Sequence, residues 1–215
     1  MGILWSSECS ASCASLPCEP SRTAETAIRP RNSFDRSVGW RKATIRQLSA
    51  VRDLALFNLP IDSKLRACDL VAISVADVSI SGRVRERAII IQRKTGRPVQ
   101  FELTDQTREA VAGWIGSRRL GERDYLFPSR VHTKPHLSTR QYGRIVERWV
   151  SSIGLDPKRY GTHSMRRTKA AHIYKKTGNL RAVQLLLGHK KLESTVQYLG
   201  IEVDDALAIS EQVEL

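Results

Sequence analysis

The stretch Thr162-His163-Ser164-Met165-Arg166 decides how this chain is interpreted, because it joins an imidazole and a guanidinium on one predicted helix. Residues three positions apart point the same way on a helix, so His163 and Arg166 are expected side by side. Thr162 is suited to cap the helix, whose free N–H groups and positive dipole end favour an anion. The stretch therefore predicts a helix start that faces phosphate, and a half-buried histidine beside a surface arginine is the plainer alternative.

Downstream, Leu187-Gly188-His189 is followed by Tyr198, nine residues after the histidine. Gly178 and Gly188 are expected to end two successive helices, Gly188 in the left-handed conformation, and Asn179 is suited to begin the second of them. A last helix then carries Tyr198. Taken alone, a histidine at a helix end is favoured by the dipole, and a tyrosine is usually a packed aromatic.

Upstream, Arg66 and Asp69 lie three positions apart on another predicted helix, for which Asp62 or Ser63 is a suitable N-cap. Pro60 is expected to end the helix before it. The pair is open to two interpretations. It is a surface ion pair, or it is a guanidinium that a neighbouring carboxylate positions to clamp two phosphate oxygens.

Lys94 lies in the turn of a predicted β-hairpin. Residues 88–92 form a short β-branched run and residues 99–103 alternate apolar with polar, while the sequence between them is typical of a turn. A basic hairpin tip is usually just solvated. It can also reach into a groove, where a lysine is able to protonate a leaving oxygen.

The remaining pattern is mostly helical. A helix is expected after Thr104, and the clearest apolar stripe runs over residues 138–153, with Ser138 and Gln141 forming a capping box. Together with the hairpin, these elements predict a mainly α fold with a small antiparallel β-sheet. The expected organisation has three parts, which are a poorly ordered leader (1–42), one domain (43–200) and an acidic tail (201–215).

The composition points to a polyanionic partner. The 215 residues include 35 Lys and Arg against 22 Asp and Glu, a formal net charge of +13. The tail is the exception, because it contains no Lys or Arg and all of its charged residues are acidic (Glu202, Asp204, Asp205, Glu211, Glu214). No stretch reaches the ~20 apolar residues of a membrane span, and no signal peptide is expected at the N-terminus.

The cysteines and histidines predict no metal site. Three of the four cysteines fall in the leader, without a zinc-site spacing, which favours free thiols in a reducing, cytoplasmic compartment. His132 and His136 are four positions apart, but Pro135 argues against a helix that presents both to one metal ion.

Taken together and in order, these residues resemble the tyrosine recombinase (phage integrase) family. That family carries an arginine soon followed by an acid, a lysine on a β-hairpin, a His-x-x-Arg motif, a Leu-Gly-His motif and then a tyrosine. The matching residues here are Arg66 with Asp69, Lys94, His163 with Arg166, His189, and Tyr198. The resemblance covers about residues 43–200 and implies the tyrosine recombinase catalytic-domain fold.

The resemblance also implies an activity, which is metal-independent cleavage and rejoining of double-stranded DNA in site-specific recombination or integration. Neither a metal nor a nucleotide cofactor is expected. Tyr198 would attack the scissile phosphate and form a 3′-phosphotyrosyl link. In the implied mechanism Arg66 and Arg166 hold the non-bridging oxygens, Lys94 protonates the leaving 5′-oxygen, His163 assists proton transfer and His189 hydrogen-bonds the phosphate. Candidate DNA contacts are Arg93, Arg97, Arg167 and Lys169.

Two features depart from the family pattern. Ser63 stands before Lys64-Leu65-Arg66, where the family usually has a glycine. The family also has a separate helical domain before the catalytic one, whereas only the leader precedes residue 43, so a catalytic domain alone is expected. The family's assembly implies a homotetramer on DNA, with the tail as a segment between protomers. The alternative function is a catalytically silent DNA-binding remnant or regulator with the same fold.

Overall fold

The computed structural model describes residues 50–130 and 134–201. The order of elements in these residues is α1 (Val51–Ser63), α2 (Ala67–Leu70), α3 (Val75–Val78), β1 (Ser79–Ile80), β2 (Arg83–Val84), β3 (Arg87–Ile91), β4 (Pro98–Glu102), α4 (Asp105–Arg118), α5 (Thr139–Ser152), a 3₁₀ turn (Pro157–Arg159), α6 (Thr162–Thr177), α7 (Leu180–Leu187) and α8 (Leu192–Leu199). The predicted fold class, mainly α with small antiparallel sheets, is confirmed. The leader, residues 43–49 of the expected domain, His132 and the tail beyond residue 201 lie outside the described residues. No helix in the described part of the chain is long and apolar enough to cross a membrane.

Helix α1 lies at the centre of the packing, since its second half is buried from Ala55 to Ser63. It packs against α4, α6 and β4. The predicted stripe of α5 is also buried in this core, where Trp149 meets Phe57 edge to face at 5.5 Å between ring centroids. Ser138 caps α5 as expected, because its hydroxyl accepts the Gln141 N–H at 3.1 Å.

A second, smaller apolar cluster joins the last three helices. Ala170 of α6 packs with Val183 and Leu187 of α7, and Tyr198 and Leu199 of α8 lie against them. The glycines predicted at the ends of α6 and α7 are present, and both are left-handed, with φ of 64° at Gly178 and 67° at Gly188. These short turns let three helices fold back on one another, and the cluster fixes the position of Tyr198.

The predicted hairpin is confirmed, with β3 and β4 antiparallel and Ala88 opposite Phe101. Burial alternates strictly along β3, so one face of the hairpin packs on the core and the other is exposed. The turn is closed by two backbone hydrogen bonds, from Gln92 N–H to the Arg97 carbonyl at 2.9 Å and from Gly96 N–H to the Gln92 carbonyl at 2.8 Å. Lys94 lies in this turn.

The expected helix end at Pro60 is wrong, because α1 continues through Pro60 to Ser63. A proline removes only one backbone donor, and burial of the whole last turn outweighs that cost. Lys64 N–H closes the turn by donating to the Pro60 carbonyl at 3.1 Å. Asp62 and Ser63 therefore end α1 rather than cap the next helix, and Arg66 occupies the N-cap position of α2.

Lys64 adopts the left-handed conformation, with φ of 56°. Glycine adopts this conformation most readily, so the backbone favours a glycine at Lys64 rather than at Ser63. This backbone conformation costs a residue with a Cβ about 1–2 kcal/mol. The lysine is almost completely buried, and its ammonium donates to the Asp62 carbonyl at 2.7 Å and pairs with Glu102 at 3.0 Å. Together these local and long-range contacts hold the backbone in place.

A buried polar network surrounds the end of α1. The Asp62 carboxylate accepts hydrogen bonds from Thr104 and Thr107, and Lys169 pairs with it at 2.9 Å. Burial alone would raise the pKa of Asp62, but these hydrogen bonds outweigh it and hold the pKa below its ordinary value. Lys169 also pairs with Glu102 at 2.7 Å. Because two carboxylates occupy its ammonium, we do not retain Lys169 among the candidate DNA contacts.

Asp62→Ala is expected to lower the free energy of unfolding by about 3–5 kcal/mol, since it removes the buried carboxylate that pairs with Lys169 and accepts from Thr104 and Thr107. Asp105→Ala, at an exposed carboxylate that pairs with Arg108, is the control and should cost under about 1 kcal/mol. Urea unfolding of both variants measures the difference. Equal losses would show that the network does not stabilise the fold.

The same carboxylate predicts a pH dependence. A depressed folded-state pKa contributes stability above the unfolded pKa, near 3.9, and that contribution is lost as the pH falls through the folded-state value. The wild type should therefore lose stability below about pH 4. Asp62→Asn should start less stable and show a smaller further loss on acidification.

Candidate active site

Arg166 is buried at the start of α6, with 3% of the residue exposed. Its Nε donates to the Lys64 carbonyl at 2.6 Å and its Nη2 donates to the Leu187 carbonyl at 2.8 Å. Burial lowers the pKa of Arg166, and the charge of Tyr198 opposes that shift only in part. A guanidinium stays protonated in spite of this shift. The two backbone carbonyls therefore hold a permanent positive charge in a fixed position beside Tyr198.

Arg66 precedes α2 and is half-buried. Its Nη1 donates to Oε1 of Gln92. Asp69 was expected to orient Arg66, but no ion pair joins the two side chains in the described residues. The Asp69 carboxylate instead accepts the N–H of Arg93 at 2.9 Å. Asp69 therefore fixes the start of the hairpin turn.

Tyr198 lies against both Arg166 and His189. The Arg166 Cζ is 5.4 Å from the centroid of the phenol ring, and the His189 ring meets the phenol edge to face at 5.4 Å. The phenol oxygen is buried and has no hydrogen-bond partner within the described residues. Burial raises the pKa of Tyr198, while the charges of Arg166, Arg167 and Arg66 act to lower it.

His189 follows the left-handed turn at Gly188, and its Nδ1 is 3.1 Å from the hydroxyl of Thr195. Burial, together with the charges of Arg166 and Arg66, lowers the pKa of His189 to about 4. The imidazole is therefore neutral near pH 7. A neutral ring that accepts from Thr195 at Nδ1 carries its proton on Nε2 and can donate it to a phosphate oxygen.

His163 and Lys94 are both exposed. His163 lies in the first turn of α6 and is exposed, whereas Arg166, three residues later, is buried. The expected Thr162 cap is wrong, because Thr162 is the first helical residue and the N-cap is Gly161, whose N–H donates to the Ser164 hydroxyl at 3.2 Å. The turn of Lys94 also exposes Arg93 and Arg97, whereas Arg167 is half-buried on α6.

Sequence reasoning missed Gln92, whose side chain is fully buried at the end of β3. The signal was present, because Gln92 continues the alternation of β3 on its inward face. It also missed Thr195 beside His189, and the Lys64 and Leu187 carbonyls that hold Arg166. Every residue has a backbone carbonyl, so the sequence does not indicate which carbonyls accept hydrogen bonds from the site. These acceptors can be identified only from the folded structure.

A mainly helical domain that gathers two arginines, a histidine and a tyrosine in this order has the fold and side chains of the tyrosine recombinases. A model of the phage integrase family matches residues 41–203, and the chain belongs to that family.

Two curated relatives show the extent of the likeness. The chain is 32% identical to tyrosine recombinase XerC of Neisseria gonorrhoeae over 156 residues, which cover 72% of this chain and 49% of that protein. It is 28% identical to the probable integrase/recombinase YoeC of Bacillus subtilis over 157 residues, 73% of this chain and 82% of YoeC. The chain thus spans about half the length of the XerC relatives it matches.

Solved structures share the fold. XerH recombinase bound to a palindromic difH substrate, in a post-cleavage complex, superposes with a TM-score of 0.69 at 20% identity, over 85% of this chain and 53% of that one. XerA recombinase gives a TM-score of 0.67 at 18% identity, over 83% of this chain and 63% of that one.

Proposed function

We propose that this chain cleaves and rejoins DNA strands in site-specific recombination, through a covalent 3′-phosphotyrosyl intermediate. The observation that carries the proposal is the packing of Tyr198 against Arg166 and His189. Arg66 is close enough for its charge to favour a lower pKa at all three groups. Residues 43–200 are proposed as the catalytic domain. A cytoplasmic location stays a prediction.

The proposed chemistry exchanges one phosphate ester for another. The phenol oxygen of Tyr198 attacks phosphorus, a bond to that oxygen forms, and the bond to the 5′-oxygen breaks. Arg66 and Arg166 stabilise the charge that grows on the non-bridging oxygens, which is the largest contribution expected in such a site. His189, neutral at working pH, donates a hydrogen bond to one of those oxygens.

Two proton transfers complete the balance. The proton of Tyr198 leaves with the assistance of His163, and Lys94 gives a proton to the departing 5′-oxygen. Both side chains are exposed, so bound DNA is expected to bring them to the reacting phosphate. The raised pKa of Tyr198 makes this assistance necessary, because the hydroxyl is protonated at neutral pH.

Double-stranded DNA is the proposed partner, in keeping with the net charge of +13. Arg93, Arg97 and Arg167 remain the proposed contacts near the site. A further set of exposed arginines follows one face of α5 at four-residue intervals (Arg140, Arg144, Arg148). The exposed charge of this face suits phosphate contacts, and its binding contribution should fall steeply as salt is raised.

The proposal is tested with a duplex selected by the protein from a random library and then nicked close to the cleavage point. Cleavage releases the short end of such a substrate, so rejoining fails and the covalent protein–DNA adduct accumulates. An adduct that survives SDS supports the recombinase. Binding without an adduct supports the second candidate, a catalytically silent DNA-binding protein with the same fold.

We also propose a tetramer on two DNA sites, coupled by the acidic tail. A surface pocket between α7 and α8 presents Arg181, Lys190 and Lys191 around the exposed Leu192, and Glu193 is the one acid among the lining residues, which leaves the pocket basic. This combination complements a tail in which acids alternate with apolar residues such as Val203 and Leu207. Folding of the tail back on its own domain is the alternative.

Deleting Ile201 to Leu215 should leave binding to a single site unchanged and abolish complexes that hold two sites. Lys190→Glu with Lys191→Glu should give the same loss in the chain that keeps its tail, because the basic pocket becomes acidic. Native gels and light scattering with paired sites measure both. Two-site complexes formed by the deleted chain would exclude the tail as the coupling element.

A further inference from the structure

One buried amide connects the separate parts of the proposed site. The side chain of Gln92 is fully buried where β3 ends and the hairpin turn begins. Its Oε1 accepts from Nη1 of Arg66 and, at 2.9 Å, from the hydroxyl of Thr95 in the turn. Its Nε2 donates to the Leu187 carbonyl at 3.3 Å. A single side chain therefore contacts the residue before α2, the turn and the end of α7.

The same contacts reach the second arginine. The Leu187 carbonyl accepts from Nη2 of Arg166 at 2.8 Å as well as from Gln92. Gln92 thus binds one arginine directly and shares an acceptor with the other. In the described residues Arg66 donates from Nη1, and Arg166 donates from Nε and Nη2. Nη2 of Arg66 and Nη1 of Arg166 are then left for a phosphate, so we expect the amide to position both arginines without competing for the substrate.

The backbone of Gln92 closes the turn that carries Lys94. Its N–H donates to the Arg97 carbonyl, and its carbonyl accepts the Gly96 N–H at 2.8 Å. The position of Lys94 in space is therefore tied, two residues along the chain, to the side chain that holds Arg66. A shift of Gln92 moves the lysine relative to the arginines.

The fit around Gln92 is tight on the side of His189. A Cβ added at Gly188 would lie 3.2 Å from Gln92 Nε2 and 2.6 Å from Cγ2 of Val99, so only glycine lets the turn before His189 approach this closely. Space alone does not explain an amide at this position, because an apolar side chain of the same length would fill it. The amide is needed for its acceptor and its donor together.

We propose that Gln92 is a positioning residue, which holds the Lys94 turn in register with Arg66 and with the carbonyl that orients Arg166. Its role is to keep the donor for the leaving oxygen at a fixed place relative to the phosphate-binding arginines. This inference rests on the proposed function. Misplacement of such groups by about 1 Å can cost on the order of a hundredfold in rate.

The test compares Gln92→Met with wild type on two nicked substrates. Methionine has the same length and lacks both hydrogen bonds. One substrate has the ordinary 5′-oxygen at the cleavage point, and the other has a bridging 5′-sulfur, which leaves without a proton from Lys94. Adduct formation is timed at saturating protein, so that binding does not limit the rate.

Gln92→Met is expected to slow adduct formation on the oxygen substrate by about ten- to a hundredfold. The loss on the sulfur substrate should be clearly smaller, because the part that comes from displacing Lys94 disappears. A residue that merely fills the fold would change both rates by the same factor. Gln100→Met is the matched control, since Gln100 is exposed on the partner strand, and it should behave as wild type on both substrates.

If Gln92→Met does not fold, Gln92→Glu replaces it, because the carboxylate keeps the acceptor for Arg66 and puts a second acceptor against the Leu187 carbonyl. It should show the same difference between the substrates. Equal losses on both substrates, or wild-type rates on both, would overturn the positioning role alone. A wild-type protein that forms no adduct on either substrate would overturn the proposed function and the inference with it.

Discussion

Tyr198→Phe is expected to abolish covalent adducts with DNA while the fold and the affinity for DNA are preserved. The change removes one oxygen, and that oxygen has no hydrogen-bond partner in the described residues. The ring keeps its contacts with Arg166 and His189. Stability should therefore stay within about 1 kcal/mol of wild type, because no hydrogen bond is lost.

Tyr142→Phe is the matched control. Tyr142 of α5 is likewise buried, and its hydroxyl also lacks a partner in the described residues, but it lies in the main core. Both variants lose a buried hydroxyl oxygen, so any difference in adduct formation between them reflects the place of Tyr198 in the proposed site. Adducts on the nicked substrate, resolved in SDS, should persist with Tyr142→Phe. Adducts that persist with Tyr198→Phe would show that another residue is the nucleophile.

The elements that sequence could predict are those set by local patterns. The hairpin follows from alternation and a turn sequence, α5 from its apolar stripe, and the ends of α6 and α7 from glycines that adopt positive φ. Each signal lies within the element that it describes. This is also why the order of the family residues could be recognised without a structure.

The errors have the opposite character. Nothing near Lys64 indicates that a lysine adopts the left-handed conformation, because the contact that holds it comes from Glu102, 38 residues away. Lys169 resembles a surface cation until Asp62, 107 residues away, is found beside it. Pro60 stays inside a helix because tertiary burial outweighs local propensity.

The candidate site divides in the same way. The side chains proposed to react could be selected from sequence, whereas the groups that orient them could not. Arg166 is held by the carbonyl of Lys64, 102 residues away, and Arg66 by the amide of Gln92. Since any residue supplies a carbonyl, its use as an acceptor depends only on where the chain passes.

Substitution of Arg166 is expected to have the second large effect on adduct formation. Arg166 has two proposed roles, which are to stabilise the transition state and to satisfy two backbone carbonyls. Arg166→Ala removes a donor to the transition state, worth roughly 3–4 kcal/mol, or about a hundred- to a thousandfold in adduct formation. It also leaves the Lys64 and Leu187 carbonyls without their donor, at about 1–3 kcal/mol for each group that stays buried. This variant should therefore be both slower and less stable.

Arg166→Lys separates these effects, because it keeps the positive charge beneath Tyr198 while losing the planar fork that reaches both carbonyls. It should bind DNA almost as wild type and form adducts at least about tenfold more slowly, since a point charge cannot replace paired donors. Arg144→Ala is the comparison, because an exposed DNA contact proposed on α5 should lose binding and adduct formation in the same proportion. Adding EDTA should change none of these rates. If Arg166→Lys loses binding and cleavage in the same proportion, Arg166 is an ordinary DNA contact. Its contact with the Tyr198 ring would then serve only the packing of the fold.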